Sequence, residues 1–404
     1  MPEDRIRILG SQETLFFSHL EGQLGQWIML TIESRLDRPV SGRATLAVGD
    51  RSMTTPLDIV PGVREYRCYA PLLWPAHPPL EQALVKLVAG EYGAQATTAV
   101  GHHRPWTVYL LSDVCTDYTW VYASEEACLD DDAALTEAEM TLAEGNAPDN
   151  HYNLVHAREI EFYLRRYPER AGRLFEHLRR GTITLNPFYN MCLTGAMSLE
   201  ELIRQFYPAR RWALEHGLDL SYANHQETPT LTWAMASILA DCGIAHLVKS
   251  ILPYECPWVK RLEEPPVFAW EGPDGGRILV RRRNEDYVEG RFVLRSLRAT
   301  VTALHDEILP RYEKLGEAYP YSAIGLVGCY GDLSPQSPTL PAKKAATIAA
   351  YNAQGWEYPK LVNASHKQFW DDLDAQIAAR RIQVPVYRGH YGTSWDVWPS
   401  CLAH

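Results

Sequence analysis

At 404 residues the chain allows about two to three domains of roughly 150 residues, each long enough to bury its own core. Hydrophobic residues make up 46% and charged residues 22%, close to globular averages, so disorder and coiled coil are poor readings. Formal charge is -11, from 39 basic and 50 acidic residues, and no Lys/Arg run is long enough to track phosphates, which sets aside nucleic acid and anionic membrane as main partners.

Up to about residue 100, short alternating runs are split by turn residues: Gln26 to Ser34, Ala44 to Val48 after Ser41-Gly42, Val63 to Tyr69 after Pro61-Gly62, and Ala83 to Val88 before Gly90. Period two at this spacing predicts a small all-β sandwich over 1–103. His102-His103-Arg104-Pro105 is polar and proline-terminated, and it marks a boundary to a second domain over 104–404.

Beyond the boundary, strand-like runs alternate with helical ones. The strands are expected at Thr107 to Ser112, Thr182 to Pro187, Leu218 to Asn224, Ala245 to Lys249, Arg277 to Arg281, Ala323 to Val327 and Gln383 to Tyr387. A helix is expected over Ser198 to His216, opened by the capping box Ser198/Glu201 and closed by Gly217. Another is expected over Pro229 to Cys242, closed by Gly243. Strands separated by helices imply parallel βα units, as a barrel or an open doubly wound sheet. Gly272 to Gly276, lying between two apolar runs, predicts a hairpin inserted in the alternation.

Eight cysteines are scattered without a CxxC pair, so reduced thiols are expected. The opening residues are charged where a signal peptide is apolar, and no run reaches about 18 apolar residues, which gives a cytoplasmic reading with no membrane partner. The chain stops at His404 without a tapering tail, and a longer polypeptide is expected to continue it. Self-association is left open.

In βα folds functional groups gather just after the strands, and three such stretches stand out: Ser112 to Trp120, Asn224 to Thr230 and Gly328 to Asp332. With Thr228 as N-cap and Pro229 as first helical residue, Glu227 would sit at the positive end of its helix and stay ionised, as a nucleophile or metal ligand must. Complementing the helix dipole is the equally weighted plain alternative. Cys115 and Asp117, at i and i+2, can reach one metal ion, and thiolate plus carboxylate suits zinc, although a cysteine in such a loop is more often a buried apolar residue. His225 and His390 are further ligand candidates. Tyr118, Trp120, Trp233, Trp395 and Trp398 can stack on sugar rings or fill the core. No phosphate cradle, GxSxG or HExxH is present.

These stretches resemble glycoside hydrolase family 38, the zinc-dependent retaining α-mannosidases, over roughly 105–404. Cys115-Thr-Asp117-Tyr-Thr-Trp120, followed by Glu125-Glu126, is similar to the family's His-x-Asp-x-x-Trp at the end of its first strand, with Cys115 in the place of a zinc-ligand histidine. Glu227-Thr-Pro-Thr-Leu-Thr-Trp233 resembles the nucleophile segment, with Glu for Asp. Arg180-Gly181, Leu193 to Gly195, Glu201 to Arg204 and Trp270 to Gly275 add to the likeness, and Tyr330-Gly-Asp332 resembles the stretch carrying the acid.

The resemblance implies an irregular seven-stranded parallel β/α barrel after the all-β domain. It implies a carbohydrate substrate, Glu227 as nucleophile and Asp332 as acid/base. It also implies a zinc ion held by Cys115, Asp117, Glu227 and His390. Tyr118, Trp120, His225, Trp233 and Trp395 are the substrate-binding candidates, and Asp113 would contact substrate or support the site from behind. Rival readings are a metal-dependent carbohydrate deacetylase on a similar barrel and a carbohydrate-binding protein without chemistry.

Overall fold

The computed structural model describes residues 5–75, 80–114, 116, 124–145, 147–154, 156–225, 231–249, 266–282, 289–330 and 337–390. Its strands are β1 (Ile6–Leu20), β2 (Gln23–Ser34), β3 (Val40–Val48), β4 (Arg51–Ile59), β5 (Gly62–Pro71), β6 (Leu80–Ala89), β7 (Tyr92–Gly101), β8 (Thr107–Leu111), β9 (Tyr152–Asn153), β10 (Ile183–Thr184), β11 (Tyr222–His225), β12 (His246–Lys249), β13 (Val267–Glu271), β14 (Arg277–Arg282), β15 (Ala323–Val327), β16 (Lys360–Asn363) and β17 (Val386–Arg388). The helices are α1 (Glu125–Glu144), α2 (Ala157–Arg166), α3 (Ala171–Arg180), α4 (Leu199–Arg204), α5 (Tyr207–His216), α6 (Ala234–Asp241), α7 (Leu297–Thr302), α8 (Leu309–Leu315), α9 (Leu340–Asn352) and α10 (His366–Arg380).

The chain divides into two compact units. The first comprises 1–107 together with 304–314 and 352–360, so two later segments join the N-terminal strands. Its strands lie in two antiparallel sheets, ordered β1-β2-β5 and β4-β3-β6-β7. Alternate residues of both sheets, among them Ile28, Leu30 and Ile32 of β2 with Ala83, Val85 and Leu87 of β6, share one core. That is the consequence of period-two patterning. The later segments dock through backbone bonds, Phe17 N–H to the Tyr358 carbonyl at 2.9 Å and Lys360 N–H to the Trp106 carbonyl at 2.9 Å.

The second unit comprises 108–303, 315–351 and 361–404. Its ladders form three sheets: β15-β8-β16, β10-β9 and β11-β12-β14-β13-β17. The pairs β9–β10, β11–β12, β12–β14 and β13–β17 are parallel, and β13–β14 is the antiparallel hairpin expected around Gly272 to Gly276. Among the described residues the ladders trace three separate sheets with one antiparallel hairpin, and not the expected seven strands closed into one parallel barrel. Two strands, β9 and β16, were not expected, and β10 is only two residues long. On one face of the five-stranded sheet, Ala223, Leu247, Phe268, Trp270 and Val280 pack with Met235, Ala236 and Leu239 of α6.

The helix expected over 198–216 is two helices. The capping box at Ser198 and Glu201 opens α4, and Gly217, at φ 66, closes α5. Pro208, the second residue of α5, lacks an N–H and its ring would clash with the carbonyl four residues back, so it can open a helix but not continue the preceding one. The helix expected from Pro229 begins instead at Ala234. Just ahead of it, the Thr232 N–H bonds Thr194 Oγ1 at 3.0 Å and the Trp233 N–H bonds His390 Nδ1 at 3.2 Å. The helix-end argument for an ionised Glu227 consequently loses its footing, since the described helix starts seven residues later.

Candidate active site

Cys115, Asp117, Tyr118, Trp120, Glu227, Asp332 and Trp395 lie outside the described residues. Asp113, His225, Trp233 and His390 lie within them, and the structure shows what holds each of these in place.

The strand β8 runs into Ser112-Asp113-Val114, all three buried. Asp113 Oδ1 accepts the Gly328 N–H at 2.5 Å, just past β15, and its Oδ2 accepts Asn224 Nδ2 at 3.1 Å, in β11. Its carbonyl accepts the Tyr330 N–H at 3.1 Å. Gly328 sits at φ 72, a left-handed conformation that glycine adopts without a Cβ penalty. The Asn224 backbone is in turn gripped by Asn186, whose Oδ1 accepts its N–H at 3.1 Å and whose Nδ2 donates to its carbonyl at 2.6 Å. On the other flank, the Asn153 N–H and Nδ2 both donate to the Ser112 carbonyl, at 2.8 and 3.2 Å. Thr184 Oγ1 donates to Asn153 Oδ1 at 2.7 Å. Buried side chains thus join the ends of β8, β9, β10, β11 and β15, making bonds that a continuous ladder would otherwise supply.

Two further contacts hold the flanking segments. Thr116, between Cys115 and Asp117 in the chain, donates to Asp132 of α1 at 2.7 Å. Burial raises the Asp132 carboxyl well above the usual carboxylate range, and neighbouring Glu159 raises it further. The Tyr330 hydroxyl donates to Glu139 of α1, which pairs with Lys344 of α9 at 2.8 Å.

His225 ends β11 fully buried, edge-on to Phe188 at 5.0 Å, and neither ring nitrogen has a hydrogen-bond partner among the described residues. Burial pushes its imidazole well below the usual histidine range, and Lys249, its register partner on β12, and His156 push the same way, so it stays neutral. A neutral ring suits a ligand or hydrogen-bonding role.

The structure brings Trp233 and His390 together. The Trp233 indole N–H donates to the Glu271 carbonyl at 2.7 Å, and the Trp270 indole N–H donates to the Gly389 carbonyl at 2.9 Å, which fixes the end of β17 beside the start of α6. Glu271 itself is clamped by Arg388 and Arg277, each through a 2.5 Å bond. Because His390 Nδ1 accepts the Trp233 N–H, only Nε2 is left to face a ligand. Among the described residues no group of three His, Cys, Asp or Glu could hold a metal ion.

The supporting residues Asn153, Asn186, Asn224, Asp132, Glu139 and Lys344 were not anticipated. Two of the asparagines did carry a signal, since Asn224 ends one expected strand and Asn186 is the last residue but one of another. The helix residues carried none, because a buried charge looks like a solvated one in sequence.

A family model described as glycosyl hydrolases family 38 N-terminal domain matches residues 105–390. The chain belongs to glycosyl hydrolase family 38. Its fold is similar to that of an alpha-mannosidase from Enterococcus faecalis V583, with TM-score 0.54 and 14% identity over 70% of this chain and 31% of that one. A second family 38 protein from Enterococcus faecalis matches with TM-score 0.50 and 14% identity, over 71% of this chain and 29% of that one. The family 38 chain thus spans about a third or less of the length of these relatives. No curated protein matches it. The strand ends described above all lie inside the matched range. No described helix is long and apolar enough to cross a membrane.

Proposed function

We propose that this chain is the catalytic portion of an α-mannosidase-like glycoside hydrolase that cleaves a glycosidic bond with retention of configuration. The observation that carries the reading is the family match over 105–390, a range that contains each of the catalytic and metal-binding residues assigned a role. The alpha-mannosidase from Enterococcus faecalis suggests the substrate class. Closure of the second unit's strands into a barrel of the family type belongs to the same proposal. Five described cysteines are unpaired, which supports a reducing, cytoplasmic setting.

In this reading Glu227 attacks the anomeric carbon and Asp332 protonates the leaving oxygen, then takes a proton from the water that releases the sugar. Cys115, Asp117, Glu227 and His390 Nε2 would hold a zinc ion, and a thiolate, two carboxylates and an imidazole are a donor set that suits zinc. When bound, the metal would polarise and orient sugar hydroxyls beside the cleaved bond. Trp233 and the aromatic residues Tyr118, Trp120 and Trp395 would stack on sugar rings, and His225 would serve as a neutral hydrogen-bonding group.

The test is hydrolysis of an activated aryl α-mannoside by the zinc-supplemented protein, with the anomer of the first-formed product read by proton NMR. Retention, loss of turnover in Glu227→Gln, and an Asp332→Asn variant that slows poor leaving groups more than activated ones are the expected results. An inverted product or an unaffected Glu227→Gln variant refutes the mechanism. A protein that binds mannosides without cleaving them refutes the activity.

A further inference from the structure

We propose that Asp113 is the positioning residue of the site, a buried carboxylate that sets the spacing of the three chain segments carrying the chemistry. This rests on the roles proposed for Cys115, Glu227 and Asp332. The side chain is fully buried, and its two oxygens accept hydrogen bonds from two different strand ends, the Gly328 N–H at 2.5 Å and Asn224 Nδ2 at 3.1 Å. Those bonds span 215 and 111 positions of sequence. Asp113 precedes Cys115 by two residues, Asn224 precedes Glu227 by three, and Gly328 precedes Asp332 by four.

Of the side-chain hydrogen bonds given above, those of Asp113 reach from the first segment to both of the others. The carboxylate is the group the place requires. With both oxygens acting as acceptors it serves two donors at once, whereas a carboxamide would turn an N–H toward one of them. A charged acceptor also makes the stronger bond, roughly twice that of a neutral one. Because both oxygens are engaged inside the protein, Asp113 acts through the segments it ties and not as a group that reacts with substrate.

The Asp113→Asn substitution keeps the size but removes the charged acceptor, leaving at most a neutral bond to an Asn224 amide that has turned over. Combining Asp113→Asn with Asn224→Asp restores a charge-assisted bond with donor and acceptor reversed. The carboxamide introduced at position 113 then gives its N–H to the carboxylate introduced at position 224, while its oxygen still accepts the Gly328 N–H. Asn224→Ser is the milder second variant, since it removes only the side-chain bond and leaves the backbone grip of Asn186. Hydrogen exchange by mass spectrometry and steady-state kinetics on an activated aryl α-mannoside are measured together. For Asp113→Asn we expect faster exchange in the peptides over 112–114, 222–225 and 327–330 together. We also expect kcat to fall by about 10- to 100-fold, the scale of a misplacement near 1 Å, with KM within about twofold, and the reciprocal exchange to recover both.

Faster exchange confined to 112–114 would overturn the coupling whether or not the protein is active. Coupled exchange with kcat within about twofold of the parent would overturn the positioning role. A loss that the reciprocal exchange leaves unchanged, with Asn224→Ser at the parent's kcat, would overturn it as well. A parent protein that turns over no glycoside, with exchange still coupled, would instead sink the hydrolase reading and the catalytic role that depends on it.

Discussion

Lys344 offers the most demanding test of how the second unit is held together. Its ammonium is fully buried on α9, 2.8 Å from Glu139 Oε1 on α1, and Glu139 is equally buried. The same carboxylate accepts the Tyr330 hydroxyl and, at 2.5 Å, Asn150 Nδ2. The Lys344 ammonium also lies 5.2 Å from the Tyr330 ring centroid. At an effective dielectric near 20, two unit charges 2.8 Å apart attract by about 6 kcal/mol, and the cost of dehydrating both cancels much of it. Removing one partner cancels the attraction while leaving the other charge buried, so Lys344→Met should destabilise by about 3 to 5 kcal/mol. The assay is urea unfolding followed by tryptophan fluorescence. Adding Glu139→Gln should recover about half of the loss or more, since the carboxamide still accepts the Tyr330 hydroxyl and no lone charge remains. A single variant that loses less than about 1 kcal/mol, or a double variant no more stable than the single one, would refute the pair as the organising contact.

Other outcomes can be checked separately. In the first unit, His103 lies 3.2 Å from Glu13 Oε2 and 3.4 Å from Glu313 Oε2. Burial lowers its pKa, but hydrogen bonds and charge from the two glutamates outweigh this and raise it to about 9. A raised pKa stabilises fully below the unfolded value of about 6.5 and loses that stabilisation as pH climbs through about 9. The parent should therefore lose up to about 3 kcal/mol between pH 6.5 and 9.5, seen as a falling Tm, whereas His103→Gln should be nearly flat there. Gly272→Ala should cost about 1 to 3 kcal/mol in urea unfolding, because the added Cβ would lie 2.7 Å from the Ser237 backbone nitrogen and press on its hydroxyl. An unchanged midpoint would mean that the hairpin moves freely against α6. Elemental analysis of protein prepared without chelator should find about one zinc per chain, and Cys115→Ala with Asp117→Ala should remove it. Stoichiometric zinc retained in that double variant would show that these residues are not ligands.

What could be read in the sequence was whatever is encoded locally. The period-two runs of the first 100 residues, the Ser198/Glu201 capping box, Gly217 and the Gly272 to Gly276 turn each act on a few neighbouring residues, and each lies where expected. The start of α5 also has a local mark in Pro208, a residue that suits the first turn of a helix. The strands β9 and β16 escaped because a strand of two or four residues shows no period. In β9 the strand is held by the Asn153 side chain as much as by its ladder.

The candidate site divides along the same line. In the proposed reading Cys115, Asp117, Glu227 and Asp332 carry the chemistry, and motif spacing alone suggests them. What holds such residues at a working distance is written elsewhere. The Asp113 carboxylate meets partners 111 and 215 positions away, and Glu139 meets Lys344 at a separation of 205. No periodicity or short motif couples positions so far apart, and a buried Asp or Lys carries the same letter as a solvated one. On the proposed reading, the same geometry would let a family 38 chain carry Cys115 in place of a ligand histidine and Glu227 in place of an aspartate without losing its fold. The strand ends are joined by Asp113, Asn153, Asn186 and Asn224, which lie outside the ligand set, so the chemistry can change while the frame beneath it stays bonded.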